Sequence, residues 1–176
     1  MSETHGMTQE EIRLSMRDAL AASLKGDPDG LAQAMSPLHG EDACLWDSFT
    51  WTMGMVAVPL RGLASGPGHD FYAVPIITMH DTVTGEHREF HVDDAPDDCP
   101  KSLIVVTKLG ACWVNQDRDG AMKLWDECIE EDDAKGEPTE EDHDSLLGEI
   151  MTIALQRATD HIRAVQAAQA HLFPPN

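Results

Sequence analysis

His80, His87, Glu89 and His91 are the residues of this chain whose types and spacing come closest to a transition-metal shell. Neutral imidazole nitrogens and a carboxylate oxygen are ligands that zinc and its neighbours take readily. They fall in two extended runs, 72–80 and 86–92, joined by a short loop ending in Gly85, a residue free to adopt positive φ. If Asp81 faces Glu86, then Met79 opposes Arg88, Ile77 opposes Phe90 and His80 opposes His87. The two opposed imidazoles would then have Cβ atoms about 5 Å apart. That register puts Ile77, Met79, Phe90 and Val92 on one face and Thr78, His80, His87, Glu89 and His91 on the other. Asp93 or Cys99 could complete a shell. The plainer reading is a wet sheet face that happens to be rich in histidine, in a chain that holds nine.

A second ion site is suggested by Asn115-Gln-Asp117-Arg-Asp119-Gly120-Ala-Met-Lys-Leu-Trp-Asp126, which resembles the EF-hand calcium loop. Oxygen donors stand at positions one, three, five and twelve, and Gly120 at six would allow the sharp turn. Two departures weaken the match: Asn115 replaces the usual Asp, and Asp126 is shorter than the usual bidentate Glu. Asp27-Pro28-Asp29-Gly30 repeats the same turn residues with no ligands in register, so an Asp-x-Asp-Gly turn in this chain needs no metal. The segments around the two turns align from Leu20 to Met35 and from Gly110 to Trp125. Few residues are identical, so recurring turn chemistry accounts for them better than a duplicated half.

Carboxylates dominate the charge. Thirty-two acids face twelve bases, for a formal net charge of −20. From Asp126 to Asp144, eleven of nineteen residues are acidic against the single base Lys135. Direct binding of DNA or RNA requires a basic footprint, and the chain has none. An anionic membrane is excluded for the same reason. A basic protein partner fits, with Asp126, Glu127, Glu130, Glu131, Asp132, Asp133, Glu137, Glu140 and Glu141 as the docking residues. A nucleic-acid mimic that occupies a basic groove is an alternative. Solubility, or a solvated helix end and linker over 131–138, is the plainest reading of the same run.

Other chemistry finds little support. No nucleophile elbow, phosphate-binding loop or dinucleotide fingerprint is present. Carboxylate pairs can be drawn almost anywhere in so acidic a chain, and each is uninformative for that reason. Cys44, Cys99, Cys112 and Cys128 form no closely spaced pair, which argues against zinc ribbons and for reduced, mostly buried thiols. The first six residues lack a basic and apolar leader, and the longest apolar-leaning stretch, 51–64, is too short for a bilayer and carries Pro59 and Arg61. A cytoplasmic location is expected.

The elements that must position these residues are mostly helical. Thr8 and Glu11 read as a capping box, Ile12, Met16, Ala19, Leu20 and Leu24 as one helix face, and Gly26 as its stop. Asp27-Pro28 restarts a short helix with Leu31, Ala34, Met35 and Leu38 in register. Residues 42–64 read as a buried helix bent or ended near Pro59, with a buried strand pair as the competitor. Asp98 is a plausible cap for a helix over 101–115, followed by another over 118–133. Thr139 is expected to cap a last helix running to Leu172. On that helix Ala158, His161, Val165, Ala168 and Leu172 continue an apolar stripe to an uncharged end, a candidate homodimer seam.

The expected fold is therefore mainly α, an α+β chain of about six helices with one inserted β-hairpin near 71–92, in a single domain. The expected function is that of an accessory or regulatory protein working through protein–protein contact, without a resident cofactor. A divalent metal on the hairpin, in an enzyme or sensor, and calcium at 115–126 are the alternatives.

Overall fold

The computed structural model describes residues 7–39, 45–64, 72–80, 83–134 and 145–172. Among them are six helices and one antiparallel hairpin: α1 (Gln9–Lys25), α2 (Pro28–His39), α3 (Leu45–Ala64), β1 (Ile76–His80), β2 (His87–His91), α4 (Lys101–Val114), α5 (Arg118–Ala134) and α6 (Leu146–Leu172). The mainly helical reading with one hairpin holds. Contacts divide the chain into two compact units, one of residues 1–59 and 154–176, the other of residues 60–153.

In the first unit the local signals of α1 act as their residue types require. Thr8 Oγ1 accepts from the Glu11 backbone N–H at 3.3 Å, and Glu11 returns a carboxylate oxygen to the Thr8 N–H at 2.7 Å. These two bonds satisfy helix-end donors that have no partner inside the helix. Gly26, at φ 70°, closes α1 in the left-handed conformation that a side chain would disfavour. Asp27 then caps α2, accepting the Gly30 N–H at 3.0 Å. Ile12, Ala19 and Ala22 are buried on α1. Gly54 of α3 lets the Met16 methyl come close enough to occupy the place of a Cβ.

Residues 45–64 form one helix, not a strand pair, and Pro59 lies inside it without ending it. Phe49, Trp51, Thr52, Met55 and Val56 are buried there, which explains the near absence of a polar face in this stretch. From α6, Thr159 meets Ser23 hydroxyl to hydroxyl at 2.9 Å, and Arg163 donates to the Ser23 and Leu24 carbonyls at 2.9 and 3.4 Å. The guanidinium thus adds a second donor to the Ser23 carbonyl, which also accepts the Gly26 N–H, and reaches the Leu24 carbonyl in the last turn of α1.

In the second unit the hairpin takes the expected register: Ile77 opposes Phe90, Met79 opposes Arg88 and His80 opposes His87. Ile77, Val92 and Cys99 form a buried cluster packed by Met79, Phe90, Leu103 and Ile104, so the apolar side of the hairpin lies on α4. A lone hairpin is marginal in water, and this packing is what stabilises it. The expected Asp98 cap does not form. Pro100 occupies the N-cap of α4 without a side-chain bond, and Asp98 instead pairs with Arg88 at 3.4 Å.

The turn from α4 to α5 repeats the one from α1 to α2, ninety residues later. Gln116 and Asp117 donate to the Trp113 and Cys112 carbonyls, as Gly26 and Asp27 do to those of Ser23 and Ala22. Asp117 then accepts the Gly120 N–H at 2.9 Å. Gln116 sits at φ 59°, where the earlier turn has Gly26 at φ 70°. Gly120 has a steric reason to be glycine, because a Cβ there would overlap the Asp117 carboxylate.

The last helix begins at Leu146. Ser145 is its cap, accepting the Gly148 N–H through Oγ at 3.0 Å. Thr139, expected in that role, lies outside the described residues.

Candidate functional site

The run of acids divides into two groups with different roles. Trp125 and Cys128 are buried, together with Ala121 one turn earlier, and they define the inner face of α5. Asp132 shares that inner side. Its Oδ1 accepts the Leu146 N–H at 2.9 Å and its Oδ2 the Leu147 N–H at 3.0 Å. One carboxylate therefore covers two of the four N–H groups that begin α6, where the helix dipole also favours negative charge. Glu131 pairs with Lys101 of α4. Asp132 and Glu131 were expected to face a partner, and both are engaged inside their own unit. Their positions, three and four residues after Cys128 and so on its face of the helix, explain this, since that side meets other elements.

Asp119, Asp126, Glu130 and Asp133 are exposed. Their spacings of seven, four and three residues place them in one row on the outer side of α5, spanning about 21 Å at 1.5 Å per residue. Glu127 lies beside this row and is 3.8 Å from Lys123. No other ion pair involves the acids of the row among the described residues. Glu137, Glu140 and Glu141 lie outside the described residues.

The EF-hand-like residues are brought together differently from a calcium loop. Asn115 uses its carboxamide on the backbone of residue 73, accepting the Ala73 N–H at 2.7 Å and donating to the Ala73 carbonyl at 3.0 Å. Asp117 is the cap of α5, and Asp119 and Asp126 stand on the helix itself, whose first residue is Arg118. A calcium loop needs irregular backbone over most of that stretch to turn several oxygens inward.

On the hairpin, His80 and His87 come together, with ring centroids 4.3 Å apart. Glu89 instead accepts from Thr78 Oγ1 at 3.4 Å, and His91 Nδ1 accepts the Asp93 N–H at 3.2 Å. Lys108, beside Asp93 at 3.0 Å, holds that carboxyl below its usual pKa. No group of three or more His, Cys, Asp or Glu converges as a metal shell among the described residues.

Cys99 and Cys128 are buried and Cys112 is half-buried, all three as free thiols. Burial raises the pKa of each, the opposite of what an activated nucleophile needs. Cys44 lies outside the described residues.

The proposed dimer stripe on α6 also divides. Ala158 is fully buried, whereas His161, Val165 and Ala168 are exposed, and the side chain of Leu172 lies outside the described residues.

A surface that sequence reading missed is the outer face of β1 and the chain before it. Tyr72, Val74 and Ile76 are 78, 55 and 45% exposed. Their alternation was visible in the sequence, but their exposure depends on which hairpin face meets α4.

No helix among the described residues is long and apolar enough to cross a membrane. No family model matches this chain, and neither a curated protein nor a solved structure matches it.

Proposed function

We propose that this is a cytoplasmic, non-catalytic accessory protein that binds a basic protein partner through the outer face of α5. The observation that carries this reading is the sorting of the acidic run. Asp132 and Glu131 turn inward to hold α5 against its neighbours, while Asp119, Asp126, Glu130 and Asp133 form an outward row. A row of like charges on one helix face repels itself mildly and is relieved by a complementary surface. It also steers a basic partner toward that face, increasing the rate of encounter at low salt.

The test uses a Lys/Arg-rich peptide as probe and fluorescence anisotropy as readout. Neutralising the row in an Asp126→Asn, Glu130→Gln, Asp133→Asn variant should weaken binding about tenfold, the scale of one interfacial coupling of 1.4 kcal/mol. A control with Asp18→Asn, Asp29→Asn and Asp160→Asn removes equal charge elsewhere and should bind like the parent. Equal loss in both variants would mean that net charge alone attracts the peptide, and the reading would fail.

A further inference from the structure

We infer that the outer edge of β1 accepts an extended segment of a basic partner as a third strand, an inference that rests on the reading of a basic partner above. The hydrogen-bond phase of the hairpin fixes which groups are free. The Val92 N–H donates to the Pro75 carbonyl at 3.1 Å, so residue 75 points its backbone toward β2. Ile77 and Met79 then do the same, and the N–H and C=O groups of Ile76 and Thr78 point the other way. The sheet has two strands only, so among the described residues nothing pairs with that outer edge.

The side next to β2 is closed with care. Beyond Pro75 the ladder is continued by the Asn115 carboxamide, which exchanges both bonds with Ala73. Among the described residues the outer edge has no comparable cover. Natural edges are blunted by charge, proline or a bulge. Residues 72–80 carry no acid and no Lys or Arg, and the one proline, Pro75, directs its missing N–H toward β2 rather than outward. β2, by contrast, has Arg88 and Glu89 within its five residues. An incoming strand would lay alternate side chains over Tyr72, Val74 and Ile76, the exposed apolar row of that face. Backbone bonds supply affinity in this mode, and the side-chain row supplies selectivity.

Charge selects the occupant. The turn that follows β2, next to the start of β1, carries Asp93, Asp94, Asp97 and Asp98, all exposed. Lys108 and Arg88 answer Asp93 and Asp98, while Asp94 and Asp97 have no ion-pair partner among the described residues. A strand with basic residues at that end matches this edge. A second copy of the chain would bring together two molecules of charge −20.

The test compares two labelled peptides with the intact protein: a ten-residue alternation of Val and Lys, able to form a strand, and an alternation of Pro and Lys, whose prolines hold the backbone in polyproline rather than strand geometry. The first should bind at least tenfold tighter. Thr78→Pro removes an outward N–H at a position where an edge strand tolerates proline. It should reduce the Val/Lys peptide to the level of the Pro/Lys peptide. Ile76→Lys, on the exposed face, should do the same without altering the backbone. Unchanged binding in both variants would overturn the strand-addition inference and leave the α5 reading standing. Loss in these variants with none on neutralising α5 would do the reverse. Light scattering of the protein alone that shows a dimer dissociated by Thr78→Pro would assign the edge to a second copy and overturn the inference.

Discussion

Asp132→Ala should destabilise the fold by about 2 kcal/mol, although the residue lies in a run that looks like pure surface charge. The substitution removes two charge-assisted bonds, of 2.9 and 3.0 Å, to the first N–H groups of α6. A capping residue contributes about 1 kcal/mol, and a bond to a charged group about 1.5–3 kcal/mol. Asp132 is half-buried, so water can replace part of what is lost. Alanine also improves the last turn of α5 by a few tenths of a kcal/mol, and removes an acid from a helix end where the dipole disfavours it. The balance leaves about 2 kcal/mol. With a urea slope of about 2 kcal/mol/M, the midpoint should fall by about 1 M. Asp132→Asn keeps one acceptor and should lose about half as much. Asp133→Ala, one residue on and exposed, should lie within about 0.5 kcal/mol of the parent. Equal midpoints for the 132 and 133 alanine variants would refute the division of the acidic run into internal and external groups.

Gly120→Ala should destabilise by about 1 kcal/mol despite the better helix propensity of alanine, because its Cβ would displace the Asp117 cap; Gly30→Ala should behave alike, and thermal melts check both. Site-resolved alkylation of the native protein should label Cys99 and Cys128 far more slowly than in urea, since burial suppresses their thiolates, and equal rates would contradict their placement. Glu10, Glu11 and Asp93 all have pKa values lowered in the fold, by Arg13, Thr8 and Lys108 respectively. Their contribution is present above the unfolded carboxylate range near 4.5 and 3.8 and is lost as pH falls through the lower folded values. Chemical denaturation from pH 6 to pH 3 should show the decline, with a smaller fall for Glu11→Gln.

Signals contained within a few residues were legible in the sequence. The Thr8–Glu11 box, the Gly26 stop and the Asp27 cap each depend on neighbours three or four positions away. The hairpin register followed from alternation, because a slip of one residue would have turned Ile77 and Phe90 to water. What was not legible depends on distant partners. Asn115 meets Ala73 across 42 residues, and no local pattern separates this use from a calcium ligand. Asp132 and Asp133 are adjacent and chemically identical, and only the packing of α5 decides that one turns inward. Asp98 resembled a cap until Arg88 of β2 came within 3.4 Å. The helix through Pro59 was ambiguous for another reason: a run with no polar face has no period to read.

The central claim, that the outer row of α5 is where this protein meets a basic partner, is tested most directly by amide chemical-shift mapping with the Lys/Arg-rich peptide at low salt. The largest perturbations should fall at Asp119, Asp126, Glu130 and Asp133 and fade as salt is raised. Perturbations distributed evenly over exposed acids such as Asp18, Asp29 and Asp160 would contradict it.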